Sequence, residues 1–215
     1  MNGIFFNPPL EKNFIGHIMA EVYKDRVYAP FLEGKKDLTI IDIGANVGLT
    51  SYYFSQFAKQ VYSLEPSLEH FDVLTTMLKY NKINNVVPIN KALYFKEGQF
   101  DFGGPDDNFT MRSLHSATWQ DGKPKETVTA ITLPVLFKDF DIEHVDFMKL
   151  DCEGSETEII SSSSFKEVSP KIDMLVIERH AWSGRHENQI LDALKDNGYE
   201  ITQIPNDANL IVAKR

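Results

Sequence analysis

The sequence predicts an α/β fold: a seven-stranded, mostly parallel sheet with an antiparallel last strand and helices on both faces. Three observations predict it. Strand-like and helix-like patterns alternate along the chain, which implies parallel strands joined by covering helices. The apolar, β-branched run Leu38-Thr39-Ile40-Ile41-Asp42-Ile43 meets a glycine-bearing turn, Gly44-Ala45-Asn46-Val47-Gly48, and a helical pattern follows at Leu49, Tyr52, Tyr53 and Phe57. The chain then closes on two strand patterns, Tyr199 to Ile204 and Leu210 to Ala213, joined by Pro205-Asn206-Asp207. So short a link forces them to pair antiparallel.

In order, Asn7-Pro8-Pro9 reads as a loop, and Phe14, Ile18 and Val22 form a helical stripe. Strand one ends at Ile43 and strand two at Glu65. Ser67 can cap a helix with Phe71, Leu74 and Leu78 on its apolar side. Strand three is Val86 to Asn90; a long polar and aromatic stretch follows, and β character returns at Glu126 to Leu133. Strand four is Val145 to Leu150, a helix starts near Ser155, and strand five is Ile172 to Glu178. Ser161 to Ser164 reads as a loop or helix end. The helix bearing Ile190, Leu191 and Leu194 stops at Gly198, a natural C-cap. Residues 1–36 read as a helical segment packing on the core, and 37–215 as one domain.

The 215 residues are 42% hydrophobic, enough for one substantial core. Net charge is -9 and no basic stripe occurs, so small molecules or glycans are expected as partners rather than nucleic acid. One cysteine, Cys152, excludes an internal disulfide and fits a reducing compartment. No run approaches the ~20 apolar residues of a membrane span, and the N-terminus lacks signal-peptide character. A cytoplasmic protein is expected; a homodimer is the oligomer left open.

In open α/β sheets, ligands bind at the carboxyl ends of the strands. Here those ends carry Asp42/Gly44, Glu65, Asn90, Asp151/Glu153 and Glu178/His180, each after an apolar strand. Glu65, roughly 20 residues beyond the glycine turn, can accept both hydroxyls of a ribose. Asn46 stands where a dinucleotide site needs its second glycine. A ligand with ribose and adenine but no phosphate therefore fits better, and S-adenosylmethionine (SAM) is such a ligand. Gly44 permits the turn, Gly48 lets the next helix start close to the ligand, and Asp42 can hold the turn or the cationic methionine end. Asn90 is placed to read an adenine edge or to form a turn. Lys149 and Asp151 share a strand face, and a lysine in a central strand requires a partner. Asp151, Glu153 and Glu178 can act as a base, orient an acceptor or hold a cation. No metal is expected, because no His/Asp cluster at ligand spacing supports one; a divalent ion is the lesser alternative. Seven strands with this turn and a terminal hairpin describe the Rossmann-like class I methyltransferase sheet.

Three segments carry a resemblance: Asp42-Ile43-Gly44-Ala45-Asn46-Val47-Gly48, Tyr62-Ser63-Leu64-Glu65-Pro66 and Lys149-Leu150-Asp151-Cys152-Glu153-Gly154-Ser155-Glu156. The sequence resembles the FkbM family of SAM-dependent methyltransferases, from about Val22 to Glu178. The resemblance implies O-methylation of hydroxyls on sugars, glycolipids or natural products, with S-adenosylhomocysteine (SAH) as product. It implies that Gly44, Ala45, Asn46 and Gly48 line SAM, that Glu65 takes its ribose, and that Asp151 faces the reaction. Glu178-Arg179-His180 fits the Glu-x-His that the family often carries after strand five. Thr132-Leu133-Pro134 departs from the family's Thr-Leu-Asp.

His180 is the preferred general base on chemical grounds, since an unperturbed imidazole titrates near 6.5, with Asp151 its competitor. Substitution of either is expected to cost on the order of 10²-fold or more in turnover. The stretch Phe102 to Lys125, joined by Tyr23, Arg26 and Tyr28, is expected to cover the acceptor as a lid. Asn7-Pro8-Pro9 is followed by Leu10 and lacks the aromatic of base-directed methyltransferases; Cys152 reads as a packing residue. The alternatives are a nitrogen- or RNA-directed methyltransferase and a non-catalytic SAM-fold binding protein.

Overall fold

The computed structural model describes residues 12–104, 112–115, 124–180, 187–204 and 207–215. Its main sheet has seven strands in the order β3-β2-β1-β7-β8-β10-β9. These are β1 Leu38–Ile43, β2 Ala58–Leu64, β3 Val86–Ile89, β7 Phe147–Leu150, β8 Met174–Glu178, β9 Glu200–Ile204 and β10 Asp207–Lys214. β1 pairs parallel with both β2 and β7. The chain therefore moves outward one way through β2 and β3, then returns and moves the other way from β7, so the order reverses at the β1/β7 pair. β10 is antiparallel to β8 and β9, as the short terminal link requires.

Strand alternation divides the core. Ile41, Met148 and Leu175 face one layer with Leu136, Phe165 and Leu194 of α5 (Leu133–Asp139), α7 (Ser163–Val168) and α8 (Glu187–Asp196). Ile40, Phe147 and Val176 face the other, with Phe54 of α3 (Leu49–Ser55) and Leu74 of α4 (Leu68–Tyr80). The N-terminal segment packs there too: α1 (Lys12–Met19) continues into a π-turn, Ala20–Lys24, and a short α2 (Ala29–Leu32). Tyr28 is buried edge-on to Phe54 and Phe147.

The sequence pattern did not separate out a second sheet of three strands, ordered β4-β6-β5: β4 Ala92–Leu93, β5 Gly98–Phe102 and β6 Glu126–Ile131. Strand character was expected to reach Leu133, but β6 ends at Ile131. Pro134 accounts for this, because it needs no amide partner in the first turn of α5. The helix after Ser155, α6 (Glu156–Ile160), ends at the serine run, where a loop or helix end was expected. There Ser162 Oγ caps α7 by accepting the Phe165 amide at 3.0 Å. Among the described residues no helix is long and apolar enough to cross a membrane.

Candidate functional site

One cleft runs along the carboxyl ends of β2, β1, β7 and β8. Its middle is the turn after β1. Gly44 has φ +74°, and a Cβ there would lie 1.7 Å from the Asp151 carbonyl oxygen, so the two central strand ends approach as closely as backbones can. The Gly44 and Ala45 amides donate to Leu64 O at 3.1 and 2.9 Å, which ties the turn to β2.

Glu65 is buried at the end of β2 and lines the cleft. One carboxylate oxygen accepts the Asn46 amide at 2.9 Å, the other the Ser67 amide at 2.9 Å. An ionised carboxylate has about four acceptor sites, so these two amides do not exhaust it; His70 Nδ1 lies 3.6 Å from Oε1. Asn46 holds its left-handed φ of 50° by accepting the Val47 amide on its own side chain at 2.7 Å. Beyond Glu65 the wall is apolar, from Leu93, Phe102 and Leu114, with buried His70 and Arg112 beside it. Arg112 donates to Ser67 Oγ at 2.5 Å and to Glu69 at 2.6 Å.

The other end is acidic: Glu21, Asp151, Glu153 and Glu178 line it together with Lys149. Lys149 is buried, with Nζ 2.9 Å from Asp151 Oδ2 and 3.9 Å from Asp42 Oδ1. Burial alone would lower its pKa; the Asp151 and Asp42 charges outweigh burial and raise it. Burial, with the charges of Asp151, Glu178 and Glu156 and against that of His180, pushes Glu153 up to about 8. The Asp151 charge, then burial, does the same to Glu178. The buried Glu156 organises this end. It accepts the Cys152 amide at 2.9 Å and the Gly154 amide at 3.0 Å, and its Oε1 lies 3.1 Å from His180 Nδ1.

The methyltransferase FkbM domain matches residues 42–201. The chain belongs to this family. It is an FkbM-family, SAM-dependent methyltransferase, and solved structures at low identity share its fold. A precorrin-6y C5,15-methyltransferase from Geobacter metallireducens is 15% identical with a TM-score of 0.51, over 88% of this chain and 87% of that one. A Streptococcus mutans protein in complex with SAH is 14% identical with a TM-score of 0.53, over 89% and 97%. A SAM-dependent methyltransferase from Aquifex aeolicus is 12% identical with a TM-score of 0.52, over 95% and 97%. No protein of curated function matches the chain.

In this FkbM-family enzyme, Gly44, Ala45, Asn46, Glu65, Lys149, Asp151 and Glu153 all line the cleft. For other residues the structure selects one of the expected roles or gives a different one. Asp42 lies fully buried beneath the turn and accepts from Thr50 Oγ1 at 2.8 Å and Ser51 Oγ at 2.6 Å, so it fixes the start of α3. Gly48 faces α4, where a Cβ would meet Leu74 Cδ1 at 2.4 Å; helix packing, not a ligand, requires glycine there. Asn90 is exposed and outside the cleft lining, and its side-chain amide donates to Glu65 O and Pro66 O at 3.0 Å each, which is the turn-forming one of its two expected roles.

His180 is not placed as a base. Its Nε2 lies 3.3 to 4.0 Å from the cleft carboxylates Glu153, Asp151 and Glu178, and the residue is not part of the lining. Burial alone would lower its pKa, but the hydrogen bond and charge of Glu156, then the charges of Glu153 and Asp151, push it up to about 10. That shift favours the protonated imidazole at neutral pH, the opposite of what a general base needs. The expectation that no His/Asp cluster has ligand spacing is also corrected, because donor atoms of Asp151, Glu178 and His180 all lie within 4.8 Å of one another.

Tyr28 is buried and Arg26 is paired with Glu33 at the surface, while Tyr23 packs edge-on to Tyr53. None of the three lines the cleft; His17, Ile18 and Glu21 do instead. Tyr28 Oη donates to Glu21 Oε1 at 2.9 Å. The lid expected over 102–125 falls mostly outside the described residues. Cys152 lines the cleft, but burial pushes its thiol pKa well up, which leaves it a packing group. Sequence reading gave no role to His70 or Glu21, and placed Glu156 only within the family motif and Arg112 only within the expected lid.

Proposed function

We propose that this methyltransferase acts on a hydroxyl oxygen of a small metabolite, sugar or natural product. The carrying observation is the acidic end of the cleft, where Asp151, Glu153 and Glu178 converge just beyond the Gly44 turn. When bound, SAM supplies an already activated methyl group on a sulfonium. The chain's task is to place the acceptor oxygen in line with it and take the proton. An alcohol is a poor nucleophile until that proton is leaving, and a carboxylate within hydrogen-bond reach serves this need. Glu153 is the assigned acceptor of the proton: with a pKa of about 8 it is partly ionised near neutral pH, and that ionised form is a stronger base than an ordinary carboxylate. It lines the cleft, and its Oε2 has no hydrogen-bond donor among the described residues, with His180 Nε2 at 3.3 Å as an ion-pair contact. No aromatic ring among the described residues lines this end to stack a nucleobase, which favours a non-base acceptor.

At the other end, Glu65 holds the ribose and the Leu93, Phe102 and Leu114 wall receives the adenine. Glu65→Gln keeps the shape and removes the charge. It should weaken SAM about 10²-fold by calorimetry, since a charge-assisted pair is worth roughly 3 kcal/mol. An unchanged affinity would remove Glu65 from the ribose site.

The test of the reaction is an acceptor screen by SAH release, with the product's methyl position fixed by NMR. The expected product is an O-methyl ether. Glu153→Gln should lower turnover on the order of 10²-fold while leaving SAM affinity within about threefold. A methyl group found on nitrogen or carbon would overturn the reading.

A further inference from the structure

The acidic end is built as more than an ion-pair cluster. β7 and β8 are parallel neighbours in register at Leu150 and Ile177. Their carboxyl ends thus deliver Asp151, Glu178 and His180 to one point. His180 Nε2 lies 3.8 Å from Asp151 Oδ1 and 4.0 Å from Glu178 Oε1, with Glu153 Oε2 nearer still at 3.3 Å. Donor atoms sharing one ion at ~2.1 Å stand roughly 3 to 4.2 Å apart; both imidazole–carboxylate spacings fall in that range, and all three donors lie within 4.8 Å of one another.

A second observation is independent of those spacings: two of the three donors, His180 and Asp151, are each aimed by a further group. Histidines that bind metals hand their other ring nitrogen to a carboxylate, which fixes the ring and its tautomer. Here buried Glu156 holds His180 Nδ1 at 3.1 Å and is itself fixed by the Cys152 and Gly154 amides. Asp151 is held on its far oxygen, Oδ2, by Lys149 at 2.9 Å, leaving Oδ1 toward the imidazole.

We propose that Asp151, Glu178 and His180 Nε2 bind one divalent first-row transition-metal ion. One imidazole with two carboxylates suits Mn²⁺, Fe²⁺ or Zn²⁺ better than the all-oxygen shells of Ca²⁺ and Mg²⁺. The Nε2 proton leaves to solvent as the ion enters, and both acids bind as carboxylates. Asp151 and Glu178 border the cleft, so the ion has an open side toward the acceptor. There it would take the acceptor hydroxyl as a further ligand and lower its pKa. That role rests on the O-methylation reading; the binding does not. The group of His144, Asp146 and Asp173 is a natural control. Its imidazole stands between the two acids, with Nε2 at 2.9 Å from Asp173 and Nδ1 at 3.9 Å from Asp146, so neither nitrogen faces both.

The test is titration of the chelator-treated protein with Mn²⁺, without SAM, followed by electron paramagnetic resonance of the free ion. One site of micromolar affinity is expected, weakened at least tenfold in Glu178→Gln and in Asp151→Asn and unchanged in Asp173→Asn. Circular dichroism confirms that each variant is folded. Binding weaker than about 1 mM, or binding that survives both cleft substitutions, overturns the proposal. If Mn²⁺ binds as expected while the methyl group goes to nitrogen or carbon, the site stands and the O-methylation reading falls.

Discussion

Gly44→Ala is expected to abolish measurable SAM binding and to lower the melting temperature by roughly 10 °C. Two effects add. The left-handed φ of +74° costs a residue with a Cβ about 1–2 kcal/mol. The larger effect is steric, because that Cβ would lie 1.7 Å from Asp151 O and 3.0 Å from its carbonyl carbon. The obstacle is backbone at the end of a central strand, held by the Asp151 amide donating to Ile43 O at 3.3 Å, so no side chain can swing aside. Overpacking of this kind costs about 1–3 kcal/mol or more. Any relief must part β1 from β7, which moves Asp151 and the turn that lines the cleft. Gly34→Ala is the control: its φ is +81° but nothing lies within 4 Å of the added Cβ. It should lose only about 1 kcal/mol and bind SAM normally. Thermal melts and calorimetry on both variants decide the matter, and equal behaviour would refute the close-approach argument.

The contrast between these glycines also shows what the sequence could reveal. Gly44, Glu65 and the Lys149/Asp151 pair were legible because their causes are local: a strand end, a tight turn, an alternating face. Gly48 was legible as a glycine but not for its reason, which lies in α4 more than twenty residues away. Arg112 reaches Ser67 across 45 positions with no periodic pattern to announce it. Glu156 reads as an ordinary acid in the first turn of a helix until β8 brings His180 against it. The reading of His180 as a base assumed an unperturbed imidazole, and four carboxylates from three segments overturn that assumption. The small sheet was missed because β4 is two residues long and β5 opens on a glycine, leaving little periodicity to detect.

Lys149→Met should destabilise the protein by about 3–5 kcal/mol, the scale for removing one partner of a buried ion pair. Lys149 is 3% exposed and Asp42 0%, so water cannot take over the charge left behind. Methionine fills nearly the same volume, and the loss is therefore electrostatic rather than a cavity. Two acids are stranded. Asp151 loses its 2.9 Å partner, and Asp42 keeps its two hydroxyl donors on Oδ2 but has none on Oδ1. Burial already raises the Asp42 pKa against the opposing charge of Lys149, so without the lysine this carboxylate has its hydroxyl donors alone to keep it ionised. For a chain of this length the loss corresponds to a fall of roughly 6–20 °C in melting temperature. A double-mutant cycle isolates the cause. Asp42→Asn removes the stranded charge, so Lys149→Met combined with Asp42→Asn should be more stable than the sum of the single losses implies, by about 1–3 kcal/mol. Strict additivity would show that the two side chains do not interact, and would shift the role of Lys149 to its contact with Asp151 alone. Chemical denaturation of the four proteins supplies the energies, and unchanged slopes with denaturant confirm that the comparison concerns one unfolding transition.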